Sequence, residues 1–369
     1  MAEAGASPAA LATITCDALV IGAGPVGLWQ VFQLGLQGIA AQVIDALPEP
    51  GGQCVELYPA KPIYDIPGVP VCSGRELVER LLQQVQPFHP AWHLGQTVST
   101  LTARDDSRFD VVTSAGQAFV ARAVFIAGGV GAFQPRLLQA PGADQLAASD
   151  LLYRLPPPGA LAGRQVLVIG GEDGAVQAAV TLAEAPDAQR AASITLMHRR
   201  ATLTAEPEAL ARLQAHQDGG RVRFIAGQVV RIDTLPGHPD RLAGVQLVDS
   251  DGQTQALPVD TLLVQLGISP KIGAIADWGL AIERRQLQVD PARFETSLAG
   301  VYAVGDLVQY PGKKKLILCG FHEATLATFA ALARLRPDAP TLLQYTTTST
   351  LLQQRLGVAP AGHTGKPAG

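Results

Sequence analysis

The chain has 369 residues, of which 47% are hydrophobic, 16% are charged and 38 are glycine. That composition excludes a disordered protein and describes a packed one with many tight turns, and the length predicts two domains, since one usually takes roughly 100 to 200 residues. A net charge of −4 with no long basic tract argues against nucleic acid as a ligand. The first basic residue is Lys61 and no apolar run reaches membrane length, which predicts a cytoplasmic protein without a membrane span.

Residues 1–13, rich in Ala, Ser and Pro, and 359–369, small and polar, are expected to be flexible termini. Between them one layout occurs twice: an apolar β-branched run, a glycine-rich turn, a stretch of helical period and a second apolar run. The first copy predicts a strand over Ala18–Ile21, a helix over Pro25–Gln37 and a strand over Ala41–Ile44. The second predicts a strand over Gln165–Ile169, a helix over Ala175–Glu184 and a strand over Ser193–Met197. Strands and helices alternating at this length demand parallel pairing with right-handed crossovers, so the expected fold is α/β with two doubly wound, Rossmann-like lobes. Apolar strands joined to glycine turns at Val124–Phe133 and Leu298–Asp306 mark the expected chain crossings, and Pro156-Pro157-Pro158-Gly159 a stiff connection before the second lobe. The first domain is then discontinuous, 14–136 with 290–358, and the second spans 137–289.

In the first copy, Gly22-Ala23-Gly24-Pro25-Val26-Gly27 follows a strand and opens a helix, the context a GxGxxG fingerprint requires. Gly22 permits the tight turn, Gly24 lets the backbone approach a pyrophosphate, and Gly27 allows close helix packing, while Pro25 begins a helix whose free N–H groups face the anion. Asp45 ends the next strand, where a carboxylate accepts ribose hydroxyls and repels a 2′-phosphate; the site suits FAD or NAD(H) better than NADP(H).

The second copy reads Gly170-Gly171-Glu172-Asp173-Gly174-Ala175, with Glu172 where the second fingerprint glycine belongs. A charged side chain there would meet the phosphates unless it turns to solvent. Its second strand ends in His198-Arg199-Arg200, with guanidinium groups able to grip a 2′-phosphate, which favours NADP(H).

Cys16, Cys54, Cys72 and Cys319 are widely spaced and form no CxxC pair; reduced thiols are expected, and Cys54 is read as structural. His89 and His93 have helical metal spacing, but Pro90 lies between them and no acidic or thiol ligand stands near, so no metal site is expected.

Nearly the whole chain resembles the thioredoxin-reductase-like ferredoxin/flavodoxin–NADP⁺ reductases. The matching stretches are Gly51-Gly52-Gln53-Cys54, Leu57-Tyr58-Pro59, Ile63 to Gly68, Gly131-Ala132-Phe133-Gln134-Pro135, His198-Arg199-Arg200 and Tyr302 to Ala324. The resemblance implies an FAD-binding first domain, an NADP(H)-binding second domain of the same ββα type, and a homodimer. It implies that Asp45 holds the adenosine ribose, Gly52 and Gln53 lie at the flavin ring, and Tyr58 stacks on the ring. It further implies that Val98 and Phe133 line the adenosine and flavin pockets, and that Gly305 and Asp306 bind the ribityl chain. The helix expected after Gly320 would point its N-terminal dipole at the flavin. Tyr345-Thr346-Thr347-Thr348-Ser349 resembles a flavin-covering tail, with Thr347 a contact and Tyr345 a second stacking ring. Where related disulfide reductases carry CxxC, this chain reads Ala148-Ser149-Asp150-Leu151-Leu152-Tyr153.

The activity so implied is hydride transfer from NADPH to flavin N5, which needs stacking and exclusion of water rather than a protein acid or base, followed by one-electron delivery to ferredoxin or flavodoxin. Such carriers are commonly acidic, and Lys313, Lys314 and Lys315 form the expected basic docking patch. Two other readings stay open: a flavin reductase for a small disulfide or quinone, and a non-enzymatic FAD-binding redox sensor whose second nucleotide site has decayed at Glu172.

Overall fold

The computed structural model describes residues 12–129, 132–338 and 343–358, without the side chains of 132–134 and 268–271. The terminal segments 1–11 and 359–369 lie outside the described residues. The chain divides into two compact units, Met1–Phe133 with Pro270–Gly369, and Gln134–Ser269.

In the first unit the strands 91–94, 41–45, 14–21, 118–126 and 301–303 pair in parallel in that order. The strand Ala118–Ile126 is shared: its first half also begins an antiparallel sheet with 109–113 and 98–103. Alternation along the strands decides what covers each face. Ala18, Val20, Val43, Ala123 and Phe125 face a helical layer that supplies Val31, Leu34, Ala324, Ala327 and Leu332. Leu19, Ile44, Val124 and Ile126 face the β layer with Phe109, Val111 and Phe119. All are 1% exposed or less apart from Leu332 at 5%, so both faces are sealed, as continuous apolar parallel strands require.

The second unit repeats the plan. Parallel strands 151–152, 261–264, 165–169, 193–198 and 222–235 continue into the antiparallel strands 238–249 and 254–258. Val166, Val168 and Leu196 face the helices through Val176, Ala179 and Leu213, whereas Leu167, Ile169 and Met197 face Ile232, Val245 and Leu247.

The second unit ends at Ser269, well before the boundary at 289 expected from sequence. Residues after 270 serve the first unit instead: Ile275, Trp278, Leu280 and Leu287 pack in its β-face core, and Gln286–Gln288 pairs in parallel with Val308–Gln309. Leu298–Asp306 is accordingly no crossing, because Val301–Ala303 lies inside the first unit's sheet beside Val124–Ile126.

Candidate functional site

The strand Ile14–Ile21 ends at Gly22, whose N–H bonds the carbonyl of Ile44 at 2.8 Å, and the helix Pro25–Leu36 begins three residues on. Four glycines surround this turn for different reasons. Gly22 has φ 110° and a Cβ there would strike the Ala127 carbonyl; a Cβ on Gly27 would strike the Gly22 carbonyl. Gly52, at φ 55°, opens the short helix Gln53–Glu56, and its missing Cβ would lie 2.9 Å from Gly24 Cα. Gly24 alone is required by neither conformation nor packing: φ is −69°, and a methyl there would meet nothing nearer than Gly52 Cα at 3.8 Å.

Asp45 closes the second parallel strand at this turn, 9% exposed. Its Oδ2 accepts the N–H of Ala23 at 2.5 Å and its Oδ1 that of Leu47 at 2.7 Å. The neighbouring loop is tied in by Gly51 N–H to the Ala23 carbonyl at 2.9 Å. The Gln53 amide nitrogen stands 3.4 Å from where a Cβ of Gly129 would be, so the amide faces a second glycine turn at the end of the strand Ala118–Ile126.

Tyr58 lies beyond the same short helix, its hydroxyl 3.7 Å from Cys54 Sγ. Burial raises the Tyr58 phenol well above its ordinary range, and the negative charge of Asp306 raises it further. Burial likewise pushes the Cys54 thiol up, with Cys72 and Asp306 adding to it and the bond to Tyr58 opposing it. Asp306 sits in the turn Gly305–Leu307 directly after the last parallel strand, and Gly305, at φ 84°, faces Val26 of the helix that follows the first glycine turn. Gly22, Gly24, Gln53, Tyr58 and Asp306 thus gather at one end of one sheet.

Other expectations are redistributed. The Val98 side chain is 6% exposed and packs in the core shared with Leu19 and Ile44, leaving the strand's backbone as what it can offer a ligand. The side chain of Phe133 lies outside the described residues. Tyr345 and Thr347 are exposed, and the tail is anchored elsewhere: the Arg355 guanidinium donates to the Leu36 carbonyl at 2.5 Å, at the opposite end of the helix from Gly24 and about 18 Å along its axis. Gln353 binds the carbonyls of Thr346 and Thr347 at 3.1 and 3.3 Å, which folds the tail on itself. The helix expected after Gly320 runs Ile317–Leu335 and so includes Gly320, where a Cβ would strike Val26.

Lys313 does not belong to a surface patch. Its side chain is 4% exposed and its ammonium is 2.5 Å from Glu323, which is fully buried; Lys314 and Lys315 are the exposed pair. The partner ten residues away in the next helix is what draws Lys313 inward, and a run of three identical residues carries no sign of it.

In the second unit, Gly170 and Gly171 are required by packing, against the Gln265 carbonyl and the His198 ring respectively. Ala175 is fully buried next to Gly170, where a third fingerprint glycine would stand. Glu172 takes the position that corresponds to Gly24 with an extended φ of −110°, as N-cap of the helix Asp173–Ala183. His198 ends its strand with Arg199 and Arg200 exposed beyond it; burial lowers its pKa, the two guanidiniums add to that, and Glu172 opposes it. Where a CxxC would lie, Asp150 is 1% exposed and bonded to Arg164, Arg241 and the N–H of Leu242. Burial pushes its carboxyl up, and those donors outweigh it and hold it below the ordinary range. All four cysteines are free, and among the described residues no group of three or more His, Cys, Asp or Glu is placed to hold a metal. No helix of the described residues is long and apolar enough to cross a membrane.

Two residues important to the site were missed from sequence. Gln286 donates to the carbonyls of Asp306 and Val308 at 3.2 and 3.1 Å, and Glu323 accepts from Gly305 N–H at 2.6 Å. Glu323 is the one acidic residue between Ile317 and Leu335, and that was the available signal for it.

Two mixed sheets, each with a glycine turn between a central parallel strand and the helix that follows it, define a protein with two Rossmann-like units. The chain belongs to the pyridine nucleotide-disulphide oxidoreductase family, which it matches over residues 16–327. It is 58% identical over 353 residues to a protein of Paracidovorax citrulli named ferredoxin–NADP reductase, covering 95% of this chain and 98% of that one. A ferredoxin–NADP reductase of Leptothrix cholodnii is 56% identical over 363 residues, 98% of this chain and 96% of the relative. Among solved structures, thioredoxin reductase of Lactococcus lactis has a TM-score of 0.59 at 22% identity, covering 87% of this chain and 99% of that one. Bacillithiol disulfide reductase of Staphylococcus aureus has a TM-score of 0.62 at 16% identity, covering 87% and 99%. These two likenesses concern the fold.

Proposed function

We propose that this chain is an FAD-dependent reductase that moves electrons between NADPH and a one-electron carrier, ferredoxin or flavodoxin. The observation that carries the reading is Gly24: a glycine that neither φ nor packing demands, beside a carboxylate and opposite Gly52, leaves room that a pyrophosphate backbone would fill. Support for the carrier comes from the relatives' names together with their identity over nearly the full length.

The residues present fit the cofactors. Asp45 would accept the adenosine ribose hydroxyls, Gly22, Gly24 and the helix start at Pro25 would receive the pyrophosphate, and Asp306 would hold the ribityl chain. Gln53 would bond the ring system and Tyr58 would stack on it, with a phenol that burial pushes above its ordinary range. FAD, when bound, supplies a hydride acceptor that can release electrons one at a time. At the second turn, Gly170, Gly171 and Ala175 would receive the NADP(H) pyrophosphate, and Arg199 and Arg200, exposed just beyond His198, would bind the 2′-phosphate. Lys314 and Lys315 would meet an acidic carrier, and the proposed assembly is a homodimer, on the resemblance alone.

The test is anaerobic mixing of the purified yellow protein with NADPH, then with each acceptor. Rapid bleaching followed by reoxidation with ferredoxin or flavodoxin is expected. Reoxidation only by quinone or a small disulfide would replace the carrier, persistent yellow colour would favour a sensor, and a colourless protein that takes up no FAD would end the reading.

A further inference from the structure

The helix Ile317–Leu335 contains a carboxylate that its apolar environment does not explain. Glu323 is fully buried, and its partners come from two separate segments. Oε2 accepts the N–H of Gly305 at 2.6 Å, while Oε1 accepts the Tyr310 hydroxyl at 2.8 Å and the Lys313 ammonium at 2.5 Å. The ammonium also lies 5.6 Å from the centre of the Tyr310 ring. Desolvating two charges cancels most of what their attraction returns, and apolar side chains of the same volume often pack as well or better. Stability alone therefore gives no reason for this cluster.

Its effect is geometric. The turn Gly305–Leu307 has no side-chain cap from its own N-terminal residue, Val304. Glu323 holds the N–H at the start of the turn, and Gln286 holds the carbonyls of Asp306 and Val308. The turn is gripped on both sides, and the grip on the N–H is charged. Through Lys313 and Tyr310 the same carboxylate also fixes the loop that presents Lys314 and Lys315.

We propose that Glu323, with Lys313 and Tyr310 as its counter-groups, is a positioning residue for the bound flavin: it fixes the Gly305–Asp306 turn and keeps a balanced charge pair next to it. The proposal rests on the reading of the first unit as the FAD site. Reduction adds negative charge to a flavin, so a lone carboxylate beside this turn opposes reduction and a lone ammonium assists it.

The test measures the FAD dissociation constant of the apoprotein by flavin fluorescence, and the midpoint potential of the bound flavin, in wild type, Glu323→Gln, Lys313→Met and the double variant. Glu323→Gln is expected to move the potential in the positive direction, Lys313→Met in the negative direction, and the pair together back towards wild type. FAD binding is expected to weaken about tenfold or more in Lys313→Met, where the carboxylate loses its counter-charge. If that variant does not fold, Lys313→Arg, expected to keep the wild-type potential, and Tyr310→Phe, expected to loosen FAD a few-fold, roughly the worth of one neutral hydrogen bond, replace it. Potentials that shift in the same direction or stay fixed, with FAD affinity within about twofold of wild type, would reduce the cluster to packing. Failure of the FAD reading itself is seen separately, as wild-type apoprotein that binds no flavin.

Discussion

Gly24 and Gly27 belong to one fingerprint yet answer to different physics. A methyl on Gly27 would strike the Gly22 carbonyl, whereas one on Gly24 meets only Gly52 Cα at 3.8 Å. Gly27→Ala is therefore expected to cost about 1–3 kcal/mol of apoprotein stability. Gly24→Ala is expected to change stability by less than about 1 kcal/mol and to weaken FAD binding about tenfold or more. Denaturant melts of the two apoproteins beside a flavin titration check both, and equal destabilisation would make Gly24 a structural residue. The motif letters made both glycines legible as one pattern; the separation of their duties needed the carbonyl of a neighbouring turn. Asp45 was legible for the same reason as the glycines, because its place at the end of a strand follows from spacing, but its two bonds to backbone N–H groups did not.

At the scale of elements, the strand Gln165–Ile169 falls where its apolar run predicts, and the following helix starts two residues early, at Asp173, because the extended Glu172 serves as its N-cap. The side chain that departs from the fingerprint sits on ordinary backbone and shares its surroundings with His198. Glu172→Gly is expected to tighten NADPH binding a few-fold by removing a charge of the wrong sign, roughly the size of one partly screened pair. Arg199→Ala and Arg200→Ala are expected to raise KM for NADPH about tenfold each and to leave KM for NADH unchanged, since only the former has the 2′-phosphate. Steady-state kinetics with both nucleotides decide this; equal effects on both would move the 2′-phosphate site elsewhere. The loop ending in Lys314 and Lys315 is the other element with a functional reading. Reversing both charges, with Lys313 retained, is expected to slow carrier reduction and flatten its dependence on salt, measured by stopped flow across ionic strengths. Unchanged rates would remove these lysines from docking.

For the whole molecule, each unit has its own sealed core, the first built from both ends of the chain and the second from one continuous stretch. Calorimetry of holoprotein and apoprotein is expected to show that removing FAD lowers the melting of the first unit only, because a ligand stabilises the unit whose native state it binds. A single transition that shifts as a whole would show the units to be one cooperative body. The boundary between them was the least legible feature in the sequence. Residues 270–289 carry no motif, and their membership in the first unit is decided by Trp278, Leu280 and Leu287 in its core.

By itself the sequence determined the two βαβ units, the parallel pairing of their strands, the glycine turns, and the acid in one copy against the basic cluster in the other. Those features depend on residue type at short spacing, where period and backbone conformation act locally. Only the tertiary structure decided that Lys313 turns inward, that Glu323 holds the Gly305–Asp306 turn, that Val98 belongs to the core, and that the tail is anchored at Leu36. Each of these depends on a partner supplied by another segment of the chain, and burial against that partner, rather than local propensity, fixes where the side chain goes.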